Sequence, residues 1–148
     1  MNTNIGISAK NKVNTQTQIL YKGKEHEDFY YKAIECCRYQ DVYHKALCYC
    51  LGISPDTRNK ANRIYDFKNG LIKTECIYEG WQTSGSLQII YLAYNLYTDG
   101  TPTVDDDTHI DEQLRECRRY SVSDIFCSGN AEYFWQAIKI RYPEYVRS

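Results

Sequence analysis

The sequence predicts an all-α, mainly helical fold: a compact single domain of six or seven short helices around a central apolar helix at residues 87–97. Three observations predict it. Apolar residues recur at helical spacing along most of the chain. Glycine and proline fall between the periodic stretches and not within them. The stretch from Leu87 to Tyr97 is apolar on nearly every face, a pattern that belongs inside a bundle. A length of 148 residues suits one domain with its own core, and 43% apolar with 25% charged residues is ordinary globular composition.

Residues 1–18 are rich in Asn, Thr, Gln and Lys without apolar periodicity and read as a polar, disordered tail, leaving 19–148 as the helical domain. After Gly23, the acids Glu25, Glu27 and Asp28 sit where a helix N-terminus favours negative charge. Phe29, Tyr30, Ala33 and Cys37 follow at helical spacing, so a first helix is expected from Lys24 to Cys37. Asp41 is a good N-cap for a second, in which Tyr43, Ala46, Leu47, Cys50 and Leu51 form a buried stripe ending at Gly52. Ser54-Pro55 supplies a cap and a first-turn proline for a third. Asn69-Gly70 is a turn signal, and 71–78 is open between helix and strand. The central helix follows Gly80–Ser86. Residues 98–111 are expected as an acidic surface loop, with a short helix from Leu114 to Tyr120. A further helix opens at Ser121, and a last one runs from Ala131 towards Pro143.

Composition excludes several classes. No apolar run approaches a membrane span, and the first residues lack the basic and apolar regions of a secretory signal, so a cytoplasmic location is expected. The cysteine count of seven is odd, and the chain is long enough to build a core, so the thiols are read as reduced. A net charge of −1 removes the simplest electrostatic case for direct nucleic-acid binding. The charge is uneven, however: Asp99 to Glu112 carries six acids and no Lys or Arg. The fifteen tyrosines suit core edges and protein interfaces alike.

The most suggestive constellation lies on the second helix. Asp41, His44 and Cys48 are spaced to fall within about 60° of one another on a helix. A carboxylate, an imidazole and a thiol on one face suit a divalent metal such as Zn2+, with His26 contributing from the first helix. The competing reading is local: Asp41 as an N-cap, and the acids near His26 as complements to the helix dipole. No CxxC or HExxH spacing is present. Gly80 to Ser86 has the glycine spacing of a phosphate loop but lacks its lysine, so the serines and threonine read as helix caps. The helix pair around Gly52, with Arg58, Lys60 and Arg63, has the outline of a helix-turn-helix without the charge to support it. Nothing marks a catalytic nucleophile. The acids Asp105, Asp106, Asp107, Asp111 and Glu112 are candidate partner-binding residues, a surface that suits a basic groove; the competing reading is a solvated loop.

Several segments together resemble a family of short proteins carried by Gram-positive gut bacteria and their phages and mobile elements. They are Lys24-Glu25-His26, Tyr39-Gln40-Asp41-Val42-Tyr43-His44, Tyr65-Asp66-Phe67, Gly80-Trp81-Gln82-Thr83, Ala93-Tyr94-Asn95-Leu96, Asp124-Ile125-Phe126-Cys127 and Ala137 to Pro143. The resemblance covers roughly residues 20–145 and implies a setting and no catalytic assignment. Small proteins in that setting often inhibit bacterial immunity, including by anti-CRISPR action. The expected function is therefore a binding protein that blocks a defence nuclease such as a CRISPR effector, with a structural metal at His26, Asp41, His44 and Cys48. The alternative is a metal-dependent hydrolase using His26, Asp41 and His44.

Overall fold

The computed structural model describes residues 18–146. The polar tail expected over 1–18 lies, apart from Gln18, outside the described residues. Among the described residues there are eight α-helices and one two-stranded antiparallel sheet. In order these are α1 (Lys24–Cys36), α2 (Val42–Leu51), α3 (Pro55–Asn59), α4 (Ala61–Ile64), β1 (Tyr65–Asp66), β2 (Leu71–Ile72), a 3-10 turn Thr74–Tyr78, α5 (Ser84–Thr98), α6 (Ile110–Arg118), α7 (Val122–Phe126) and α8 (Ala131–Arg141). A 3-10 turn at Pro143–Tyr145 closes the fold.

Local chemistry sets most boundaries. The Asp41 carboxylate accepts from the His44 backbone N–H and starts α2. Ser54 caps α3, with Pro55 in its first turn. Thr83 and Ser86 exchange side-chain-to-backbone hydrogen bonds in a capping box that opens α5, so these residues are caps, as their loop-like composition suggested. The expected third helix is divided into α3 and α4 at Lys60. The open segment 71–78 is part strand and part 3-10 helix: Tyr65 pairs with Ile72 and Asp66 with Leu71 around a turn closed by Gly70 at φ 72°. The Tyr94 hydroxyl lies 2.7 Å from the Ile64 carbonyl oxygen and 2.9 Å from that of Lys73, which ties this hairpin to α5.

The expected central helix is α5, buried from Ile89 to Tyr94 and again at Leu96. It shares the centre with α2, whose residues 46–51 are all buried and which packs against α1, α5 and α8. Tyr43, expected in the buried stripe of α2, is instead partly exposed, with the guanidinium of Arg141 stacked 3.7 Å from its ring centroid.

At the α1–α2 contact, Gly52 leaves room for a side chain. A Cβ built there would lie 2.6 Å from Cδ2 of His26 and 3.0 Å from Cδ1 of Phe29. The φ of Gly52 is −79°, so space and not backbone conformation demands glycine. Overpacking of this kind costs about 1–3 kcal/mol. Gly52→Ala is therefore expected to lower the unfolding free energy from urea titration by that amount, and an unchanged value would show that α1 shifts freely away from α2.

Candidate functional site

Of the four residues expected to share a metal, the structure brings Asp41 and His44 together and gives His26 and Cys48 other partners. His26 is 1% exposed, with both ring nitrogens engaged. Its Nδ1 lies 3.0 Å from the donating backbone N–H of Lys22, and its Nε2 lies 2.8 Å from the Tyr49 carbonyl oxygen. That pairing requires the neutral ring with its proton on Nε2. Burial drives the His26 pKa down to about 4, against a smaller upward effect of the hydrogen bond to Tyr49. The Tyr21, Tyr49 and Tyr133 rings surround it. His26 thus acts as a polar pin between α1 and α2, with no free lone pair for a metal.

Asp41 and His44 do meet, 2.7 Å apart between Oδ1 and Nδ1. Burial works to raise the Asp41 pKa, but the ring and backbone hydrogen bonds from His44 outweigh it and hold the carboxyl below its ordinary value. His44 Nε2 faces the Tyr97 hydroxyl at 3.4 Å, and that hydroxyl pairs with Tyr65 at 2.8 Å. Cys48 makes its side-chain contact with a different partner: its sulfur lies 3.5 Å from that of Cys37. Among the described residues, no group of three or more His, Cys, Asp and Glu side chains is arranged to hold a metal ion. A cavity of about 240 Å³ opens above His26, lined by Lys22, Glu25, Pro55 and Arg58. Arg58, one of the basic residues of the helix-turn-helix outline, is folded back, with Nη1 donating to the Gly52 carbonyl at 2.7 Å.

The acidic segment is anchored at its base. Arg141 donates to the Leu96 carbonyl at 2.9 Å and to the Asp99 carboxylate at 2.8 Å, and Asp99 ends α5 in the left-handed conformation that aspartate tolerates. Beyond it the chain is held by its own turns. Asp105 accepts from the Asp107 N–H, and the Gln113 amide donates to the carbonyls of Asp106 and Thr108. Asp105, Asp106, Asp107, Asp111 and Glu112 are all exposed. The expected loop over 98–111 ends early, because the His109 ring accepts from the Asp111 N–H and starts α6 at Ile110.

α6 was expected only from Leu114, and its orientation is the most informative feature of the surface. At 100° per residue, Ile110, Leu114 and Cys117 fall within about 60° of one another, forming one apolar stripe. Glu116 and the following Tyr120 lie about a quarter to a third of a turn from its centre, and these are the residues that hold the helix to the domain. Glu116 accepts from the Tyr91 hydroxyl at 2.9 Å and from Thr103, and Tyr120 packs edge-on against Tyr91. No residue of α6 is buried, and Ile110 and Leu114 are 56% and 53% exposed. The helix attaches by its polar side and turns its apolar side outward.

The fold and this surface define a small helical domain that, among the described residues, presents an amphipathic helix with its apolar stripe exposed beside an ordered acidic turn. The chain belongs to a family of unknown function, DUF6075, whose model matches residues 16–148. No curated protein and no solved structure matches it significantly. No helix among the described residues is long and apolar enough to cross a membrane.

The buried His26 gives a pH signature. Its pKa falls from an ordinary 6.5 to about 4 on folding, so between those values the unfolded chain binds the extra proton. Stability is then fully present above pH 6.5 and falls as pH drops through the window, by up to about 3 kcal/mol. Urea titrations between pH 7 and 4.5 are expected to show this decline in the wild type and its loss in His26→Gln. Parallel pH profiles for the two proteins would rule the assignment out.

Proposed function

We propose that this chain is a non-enzymatic binding protein that docks through the outward stripe of α6 and the acids at its N-terminal end. One observation carries the reading: the helix spends its polar face on the domain and leaves Ile110, Leu114 and Cys117 to solvent. The occupant is an apolar groove on another protein, with Lys and Arg at the end that meets Asp105, Asp106, Asp107, Asp111 and Glu112. Arg115 and Arg118, nearer the other end of the helix, fix the direction in which such a groove is entered.

Magnitudes divide the roles. Burying an aliphatic side chain contributes about 1.5–3 kcal/mol, whereas an exposed ion pair contributes about 0–1 kcal/mol. The stripe therefore supplies affinity, while the acids supply steering and orientation. The resemblance to proteins of phages and mobile elements narrows the partner class to a defence nuclease, such as a CRISPR effector, whose nucleic-acid channel is basic.

The test is phage infection of hosts carrying nuclease-based defence systems and expressing the chain. Wild type is expected to restore infection against at least one system, Leu114→Glu to abolish the effect, and the Asp105→Asn/Asp106→Asn/Asp107→Asn variant to weaken it, with melting temperatures unchanged. Failure of wild type against a panel of DNA- and RNA-cleaving systems removes the nuclease as partner. Full activity of a folded Leu114→Glu variant removes α6 as the docking face.

A further inference from the structure

We propose that Cys37 and Cys48 form an oxidation site that a hydroperoxide converts to an intramolecular disulfide stapling the end of α1 to α2. This inference is independent of the α6 reading and rests on a different part of the molecule.

The two sulfurs are already 3.5 Å apart, and both thiols are free. A disulfide has an S–S length of about 2.05 Å, so closure requires the sulfurs to approach by about 1.5 Å. The surroundings differ in a way that divides the chemistry. Cys37 is half-buried just past the end of α1, whereas Cys48 is fully buried within α2. Cys37 is held in place by its own helix, its thiol lying 3.3 Å from the Ala33 carbonyl oxygen. The remaining five cysteines lack this arrangement. Cys36, Cys117 and Cys127 are exposed, Cys50 is buried within α2, and buried Cys76 faces the Tyr94 hydroxyl.

The half-buried thiol meets the oxidant first. The Cys37 thiolate attacks one oxygen of the hydroperoxide, the O–O bond breaks, and the departing oxygen takes a proton as water or an alcohol. Cys37 is then a sulfenic acid. The Cys48 sulfur, already in contact, attacks the Cys37 sulfur and gives up its proton; the S–O bond breaks and water leaves. Two thiols are oxidised and one peroxide is reduced, with no other reactant needed. The resulting link closes the connector 38–47, which carries Tyr39, Asp41 and His44, and restricts the unfolded chain.

The full-length reduced chain is treated with hydrogen peroxide, alkylated and digested without reductant. The expected product has lost two hydrogens, yields one linked peptide joining Cys37 to Cys48, and reverts with dithiothreitol. Its unfolding midpoint is higher than that of the reduced protein. In Cys48→Ser the reaction is expected to stop at a dimedone-reactive sulfenic acid on Cys37. Recovery of both residues as alkylated thiols while Cys36, Cys117 or Cys127 is oxidised overturns the proposal. So does a link from Cys36 to Cys48, or a sulfinic acid on Cys37 beside an unreacted Cys48. The wild-type peptide map decides the question even if the variant fails to fold.

Discussion

The domain depends on the burial of α2. From Ala46 to Leu51 this helix has no solvent-facing residue, so it is stable only when covered on every side. α5, α8 and α1 supply that cover. Contact with α1 is the most specific of the three, because it combines a missing side chain with a polar pin. Gly52 makes the space that the His26 ring fills, and the ring ties the backbone of Lys22 to the carbonyl of Tyr49. An imidazole in that position is held neutral by burial, which explains why a histidine flanked by Glu25 and Glu27 in sequence makes no ion pair with them.

The same packing places the proposed docking surface. α5 ends at Asp99, and Arg141 at the end of α8 clamps that corner through the Leu96 carbonyl and the Asp99 carboxylate. The acidic turns therefore leave the core from a fixed point. They lead into a helix secured by the Glu116 carboxylate and by the hydroxyl and ring of Tyr120, with Gln113 bonded back to the turns themselves. Polar attachment leaves the apolar side of α6 free, and the order of the preceding turns lowers the entropy cost of presenting acids to a partner. In the proposed docking mode, affinity and steering come from one contiguous stretch of chain.

Helical period and capping chemistry were legible in the sequence. Asp41, Ser54-Pro55, Thr83 with Ser86, and Ser121 begin helices where their side chains predict. The start of α6 was not legible, because its cap is a histidine and its first turn is acidic, so it merged with the loop before it. The spacing of Ile110, Leu114 and Cys117, with acids in the first turn and Arg115 and Arg118 in the last, was the signal that marked the helix. The proposed metal face shows a different limit. A helical wheel places Asp41, His44 and Cys48 together, but Asp41 is a cap lying outside the helix, and its carboxylate is directed by the His44 N–H. Cys48 is directed by its neighbour on α1, and His26 by two backbone groups. Hydrogen-bond and packing partners decide such orientations, and periodicity does not carry them.

Docking through α6 requires that its apolar stripe lie outside the core. Urea unfolding of an Ile110→Ser/Leu114→Ser double variant measures this without knowledge of any partner. Exposed positions of this kind change stability by no more than about 0.5 kcal/mol each, so a midpoint close to wild type is predicted. A loss of several kcal/mol, on the scale of about 2–5 kcal/mol for a truncated core leucine, would show that these side chains serve the fold and not a partner.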